Sequence, residues 1–100
     1  MNKEQYLLTC LMEECAELSF ACSKAIRFGM NSDFMGKRPK SHEQINIEIN
    51  DVQALIHMLH TEGFLPLIPW ADTHNQRWEK EGKVEKWMQV SRELGIVDKE

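Results

Sequence analysis

Residues 42–62, HEQINIEINDVQALIHMLHTE, decide the fold. A helix turns by about 100° per residue. On that wheel Ile45, Val52, Leu55, Ile56 and Leu59 gather on one stripe, and Asn46, Asn50, Gln53, His57 and His60 fall opposite. Two acids break the pattern. Glu48 falls near the middle of the apolar stripe, and Asp51 flanks it beside Leu55 and Met58. An unpaired carboxylate among apolar groups is costly and tends to be neutralised. Ser41 with Gln44 has capping-box spacing at the start of this helix, which is expected over about His42 to Glu62, and Gly63 ends it.

Upstream, a helix is expected from about Lys3 to Phe28, with Asn2 and Gln5 as its capping box and Gly29 as its stop. Its apolar stripe holds Leu7, Leu11, Cys15, Leu18, Cys22 and Ala25. Glu14 falls on the flank of that stripe, Glu17 at its border and Glu13 farther round. The linker from Met30 to Lys40 is rich in turn formers: Asn31, Ser32, Asp33, Gly36 and Pro39. In two antiparallel helices, residues at one level have a nearly constant sum of residue numbers. That sum is the same for Glu17 with Glu48 as for Glu14 with Asp51. A hairpin bending near residues 32 and 33 therefore brings both acidic pairs to one height. Within each helix the two acids are i, i+3 neighbours and share a face. Four converging carboxylates ask for a divalent cation. Mg²⁺ prefers such oxygen ligands and keeps waters that a substrate can displace, with Mn²⁺ as a possible substitute. The alternative is that Glu48 pairs with a buried base; Lys24 and Arg27 sit on the first helix, but not at its level.

A third helix is expected over part or all of Thr73 to Leu94, with Asp72 as its cap, Gly95 as its end and Gly82 as a place to bend or divide it. No run of alternating β-branched residues marks a strand. One hundred residues suit one domain, 1–100, with a loose tail over about 96–100. Cys10, Cys15 and Cys22 lack zinc spacing, and Cys15 and Cys22 lie one heptad apart as apolar fillers. His42, His57, His60 and His74 include no i, i+4 pair, so a zinc site is not expected. Trp70, Trp78 and Trp87 could stack on a base, but read more simply as core or interface residues, Trp87 most simply as core. The net charge of -4 argues against nucleic-acid binding through the phosphate backbone. It leaves a nucleotide substrate open, because a bound metal reverses the local field. MNKEQYLLTC has no apolar signal-peptide core, and Phe64 to Ala71 is too short to span a bilayer. A soluble, cytoplasmic protein without a membrane partner is the expectation.

Glu13-Glu14-Cys15-Ala16-Glu17 and Glu48-Ile49-Asn50-Asp51 together read E-E-x-x-E … E-x-x-D. This resembles the signature of the MazG-like, all-α nucleoside triphosphate pyrophosphatase superfamily, which includes dimeric dUTPases and dCTP pyrophosphatases. Lys24-Ala25-Ile26-Arg27-Phe28-Gly29 looks like the K-x-x-R-F-G ending of the first helix in that family. Lys83-Val84-Glu85-Lys86 through Ser91-Arg92-Glu93-Leu94-Gly95 is similar to the third-helix stretch of its small members. The resemblance covers residues 5–95. It implies Glu14, Glu17, Glu48 and Asp51 as Mg²⁺ ligands and Glu13 as an outer acid or water-positioning group. It also implies cleavage of a nucleoside triphosphate between the α and β phosphates, in dimers or dimers of dimers whose pocket is partly built by a neighbouring subunit.

Phosphoryl transfer needs charge neutralisation and an aligned water more than a covalent nucleophile. Glu13 or Glu17 could orient or deprotonate that water. Lys24, Arg27, Lys80 and Lys83 are the candidates for the phosphate clamp, against the plainer reading of solvated surface charge. There is no G-x-x-x-x-G-K-[ST] loop, which disfavours a P-loop enzyme. The expected fold is all-α: a helical hairpin plus a third helix, completing a four-helix bundle by forming a homodimer or homotetramer. The expected function is Mg²⁺-dependent hydrolysis of a (d)NTP to (d)NMP and pyrophosphate. The alternatives are a non-catalytic helical metal-binding interaction module and an enzyme resembling phosphoribosyl-ATP pyrophosphohydrolase.

Overall fold

Asn2 starts the first helix as its spacing predicts. Its Oδ1 accepts from the Gln5 backbone N–H at 2.8 Å, and Gln5 Oε1 accepts from the Asn2 N–H at 2.9 Å. The computed structural model describes residues 1–99. Helix α1 spans Lys3–Phe28, α2 spans Ser41–Thr61 and α3 spans His74–Glu93, with a 3-10 turn over Trp70–Thr73 before α3. No strand occurs among the described residues. Two compact units form, one over Met1–Pro66 and one beginning at Leu67.

In the first unit α1 and α2 pack as a hairpin. Along α1, Leu7, Ala21 and Ala25 are buried and Leu11, Glu14 and Leu18 half-buried. Along α2, Ser41, Glu48 and Leu59 are buried and Ile45, Val52 and Leu55 half-buried. Both sets alternate steps of four and three, the spacing of a helix–helix seam. Because the helices run in opposite directions, equal levels join Leu7 to Leu59 at the open end and Ala25 to Ser41 at the bend. An ion pair between Lys3 Nζ and Glu62 Oε1, 2.6 Å, holds the open end in that register.

This seam corrects the reading of α1. Cys15 and Cys22 are exposed rather than fillers, and the packed line runs through Glu14 and Ala21 instead. Glu14 therefore lies on the seam itself. The start of α2 is also corrected. Ser41 is not its cap but a buried first-turn residue, 1% exposed, whose N–H donates to the Ser32 carbonyl at 3.0 Å. The capping role passes to Glu43, whose Oε1 accepts from the Lys40 N–H at 3.3 Å.

The linker turns through three successive left-handed residues, Phe34 (φ 57°), Met35 (φ 61°) and Gly36 (φ 79°). Such geometry costs a non-glycine residue about 1–2 kcal/mol. Asp33 holds it: its Oδ1 accepts from the Gly36 N–H at 3.0 Å and its carbonyl from the Arg38 N–H at 3.1 Å. Phe34 packs edge-on against Phe28 with centroids 5.7 Å apart.

In the second unit Asp72 does not cap α3; it lies inside the 3-10 turn, and Thr73 takes the N-cap position without a side-chain cap bond. The Thr73 hydroxyl donates to the Trp70 carbonyl at 3.0 Å, and Arg77 lies over the Trp70 ring, 3.3 Å from its centroid. Gly82 does not divide α3, whose helix is continuous through it. After α3 the Ile96 and Val97 N–H groups both donate to the Ser91 carbonyl, at 2.9 and 3.2 Å. Glu100 lies outside the described residues. Trp87 is exposed, not core, and no residue of α3 is buried. His57 and His60 are exposed, as their polar face predicts. Among the described residues no helix is long and apolar enough to cross a membrane.

Leu59 is the largest fully buried side chain, 1% exposed. Replacing it with alanine is expected to lower the unfolding free energy by about 2–5 kcal/mol in urea titrations. Lys3→Ala removes only an exposed ion pair and is expected to cost about 1 kcal/mol or less. Equal costs would contradict the burial pattern described.

Candidate metal centre

Two helices supply the acids, two each, from positions three apart. Glu14 and Glu17 of α1 meet Glu48 and Asp51 of α2, and one carboxylate oxygen from each lies within 4.8 Å of the others. The hairpin register brings them together as the sequence predicts. Glu48 is nine-tenths buried, 9% exposed, while Glu17 at the seam's edge is exposed. Gln44 Nε2 donates to Glu48 Oε1 at 2.7 Å, but Glu48 Oε2 is buried with no hydrogen-bond partner, and so is Glu14 Oε2.

Acids on a solvated helix face find water. Here two buried oxygens from opposite helices lack a donor, and such groups are normally satisfied. Arg or Lys does not serve them: among the described residues the only ion pair is Lys3 with Glu62. The donor set, four hard carboxylates with open valence, fits a divalent cation such as Mg²⁺. Glu14 and Glu48 would hold it from within the seam and Glu17 and Asp51 from its edge. The mutual repulsion is visible in Glu17, whose carboxyl is raised above its ordinary 4.5 by the charge of Glu14 first, then by that of Glu48 and by partial desolvation.

A cavity of roughly 380 Å³ opens on this cluster, lined by Glu17, Phe20, Ala21, Lys24, Arg38, Gln44 and Glu48. Lys24 reaches it although its backbone lies at another level. Arg27 does not line it; its guanidinium sits 5.2 Å from the Phe28 ring. Glu13 is exposed and outside the carboxylate group. Lys80 and Lys83 are exposed on α3 of the second unit. Sequence reasoning missed Arg38, because only the left-handed turn before it sends it back over the hairpin. Asp33 and Gly36 were the available signal.

Glu17 gives a pH dependence with a definite sign. With its folded-state pKa above 4.5, the stabilising contribution is full below 4.5 and is lost as pH rises through the raised value. In EDTA, Glu17→Gln is therefore expected to match the wild type in Tm below that pH and exceed it above. Saturating Mg²⁺ should reverse the order at neutral pH by stabilising the wild type more. Parallel melting curves at every pH, with and without Mg²⁺, would contradict the charge crowding.

Comparison of the chain with protein-family models, curated proteins and solved structures finds no match, so the chemistry of these residues carries the functional reading.

Proposed function

We propose that the chain is a Mg²⁺-dependent nucleotide pyrophosphohydrolase, converting a (d)NTP and water to the (d)NMP and pyrophosphate. The observation that supports this most is the unpartnered pair of buried carboxylate oxygens, Glu14 Oε2 and Glu48 Oε2, beside a cavity that also carries Lys24 and Arg38. Acids alone would suit a metal-binding module. Acids and bases lining one cavity suit a ligand that is itself anionic and shares the metal.

When bound, Mg²⁺ supplies charge neutralisation to the phosphate oxygens and to the departing pyrophosphate. Glu14, Glu17, Glu48 and Asp51 would hold it in place. Glu17, exposed at the cavity mouth and held less acidic by its neighbours, is suited to orient a water and take its proton. Glu13, one helical position upstream of Glu14, is the second acid proposed for water positioning. The water attacks the α phosphorus, the bond from that phosphorus to the bridging oxygen breaks, and pyrophosphate leaves. Lys24 neutralises phosphate charge from α1, and Arg27, Lys80 and Lys83 are the further candidates for the phosphate clamp. A cytoplasmic location goes with that substrate class.

Assembly is part of the proposal. Leu8, Met12, Ile47, Ile49 and Met58 of the hairpin and Trp78, Val84 and Trp87 of α3 are exposed. A second hairpin packed on the first would give a four-helix bundle and cover those of the hairpin's exposed residues that share the packed face. Light scattering coupled to gel filtration should report a dimer or tetramer. A monomer at micromolar concentration would remove this part of the account.

Activity is tested with a panel of nucleoside triphosphates in Mg²⁺, following monophosphate and pyrophosphate release. Turnover of at least one member is expected, and Glu48→Ala should abolish it while helical content by circular dichroism is kept. Unchanged turnover in that variant would overturn the site, and no turnover with any nucleotide would favour the binding module.

A further inference from the structure

Arg38 and Lys24 share one cavity with Glu17 and Glu48, yet none of them is paired with another. No nitrogen of either base comes within salt-bridge distance of a carboxylate among the described residues. Arg38 Nη2 is buried and has no hydrogen-bond partner. A charged donor left in that state costs more than a lost neutral hydrogen bond, so something outside the chain is needed to satisfy it.

Each of the two cations lies against an aromatic ring rather than against an acid. Lys24 Nζ lies 4.5 Å from the centroid of the Phe20 ring, and the Arg38 guanidinium carbon lies 5.5 Å from that of Phe34. Phe34 is fixed by the left-handed turn and by its edge contact with Phe28. The linker therefore presents Arg38 as a built part of the site. A cavity lined by both charge sets calls for a ligand that accepts hydrogen bonds from a guanidinium and shares a cation with carboxylates. A chain of phosphates does both, and the planar guanidinium matches phosphate oxygens two at a time.

We propose that Arg38, with Lys24, forms the anion arm of the site and grips a phosphate group of a metal-bound diphosphate or triphosphate. This deepens the pyrophosphohydrolase reading and rests on its metal centre, but not on turnover. Arg38 is a substrate-binding residue in this scheme, supplied by the same chain as the acids.

The test is calorimetric titration of inorganic pyrophosphate into the full chain in Mg²⁺, which needs no catalysis. Arg38→Met keeps an unbranched stem as far as the position of Nε while removing the guanidinium, its charge and its place over the Phe34 ring. Its pyrophosphate affinity is expected to fall by roughly tenfold or more. Arg38→Lys should recover part of the loss, because charge returns without the planar fork. Titration of Mg²⁺ alone should show affinity no weaker than wild type in both variants, which also reports an intact fold. Pyrophosphate affinity in Arg38→Met within about twofold of wild type, or no pyrophosphate binding by the wild type in Mg²⁺, would overturn the proposal. Arg38-dependent pyrophosphate binding in a protein that hydrolyses no nucleotide would keep the anion arm and remove the hydrolase reading.

Discussion

Like charge brought together inside a helix–helix seam sets the terms for the rest of the molecule. Glu14 and Glu48 take positions that the alternation of four and three reserves for apolar side chains. Leucine at both positions would bury apolar area at the hairpin's middle and leave neither of these oxygens without a donor. Instead one carboxylate oxygen from each of four acids stands within 4.8 Å of the others, and the charge of Glu14, then of Glu48, holds the Glu17 carboxyl above its ordinary range. Repulsion of this kind is tolerable when a divalent cation joins the acids, and the hairpin then gains from the metal what it forgoes in packing.

The parts of the hairpin away from the acids compensate. Leu7 and Leu59 fill one end, and Ala21, Ala25 and Ser41 keep the helices close at the other. Rigid helices position the carboxylates, which suits ligands that must hold one geometry. The linker contributes the complementary charge. Its left-handed turn, costly for Phe34 and Met35, places Arg38 on the cavity that the acids also line. Strain in the linker and crowding in the seam thus occur at the same site, as is common where a fold is shaped by what it binds.

Periodicity made the hairpin legible. Glu48 interrupts an otherwise apolar stripe, and the matching register of the two acidic pairs follows from residue numbers alone. The Asn2–Gln5 cap and the Gly29 stop are local features, and they too could be read directly. In α1 the expected stripe shares Leu7, Leu11, Leu18 and Ala25 with the observed seam, and only its border differs: Glu14 and Ala21 are covered and Cys15 and Cys22 are not. The border of a stripe is what periodicity fixes least, because neighbours differ by about 100°. Ser41 looked like a cap because serine caps often, yet its burial against Ser32 depends on the path of a linker that no periodic pattern encodes. Arg38 was hidden for the same reason. In α3 the polar and apolar residues interleave without a clear stripe, so Trp87 could not be placed from sequence, and it stands exposed.

The central claim is that these acids are metal ligands. Diffraction from crystals grown in Mn²⁺, collected for its anomalous signal, tests it most directly. The account predicts an anomalous peak among the carboxylates of Glu14, Glu17, Glu48 and Asp51, with metal–oxygen distances near those of small divalent ions, roughly 2.0–2.3 Å. Carboxylates turned apart with no peak between them, or manganese bound only elsewhere on the surface, would contradict it.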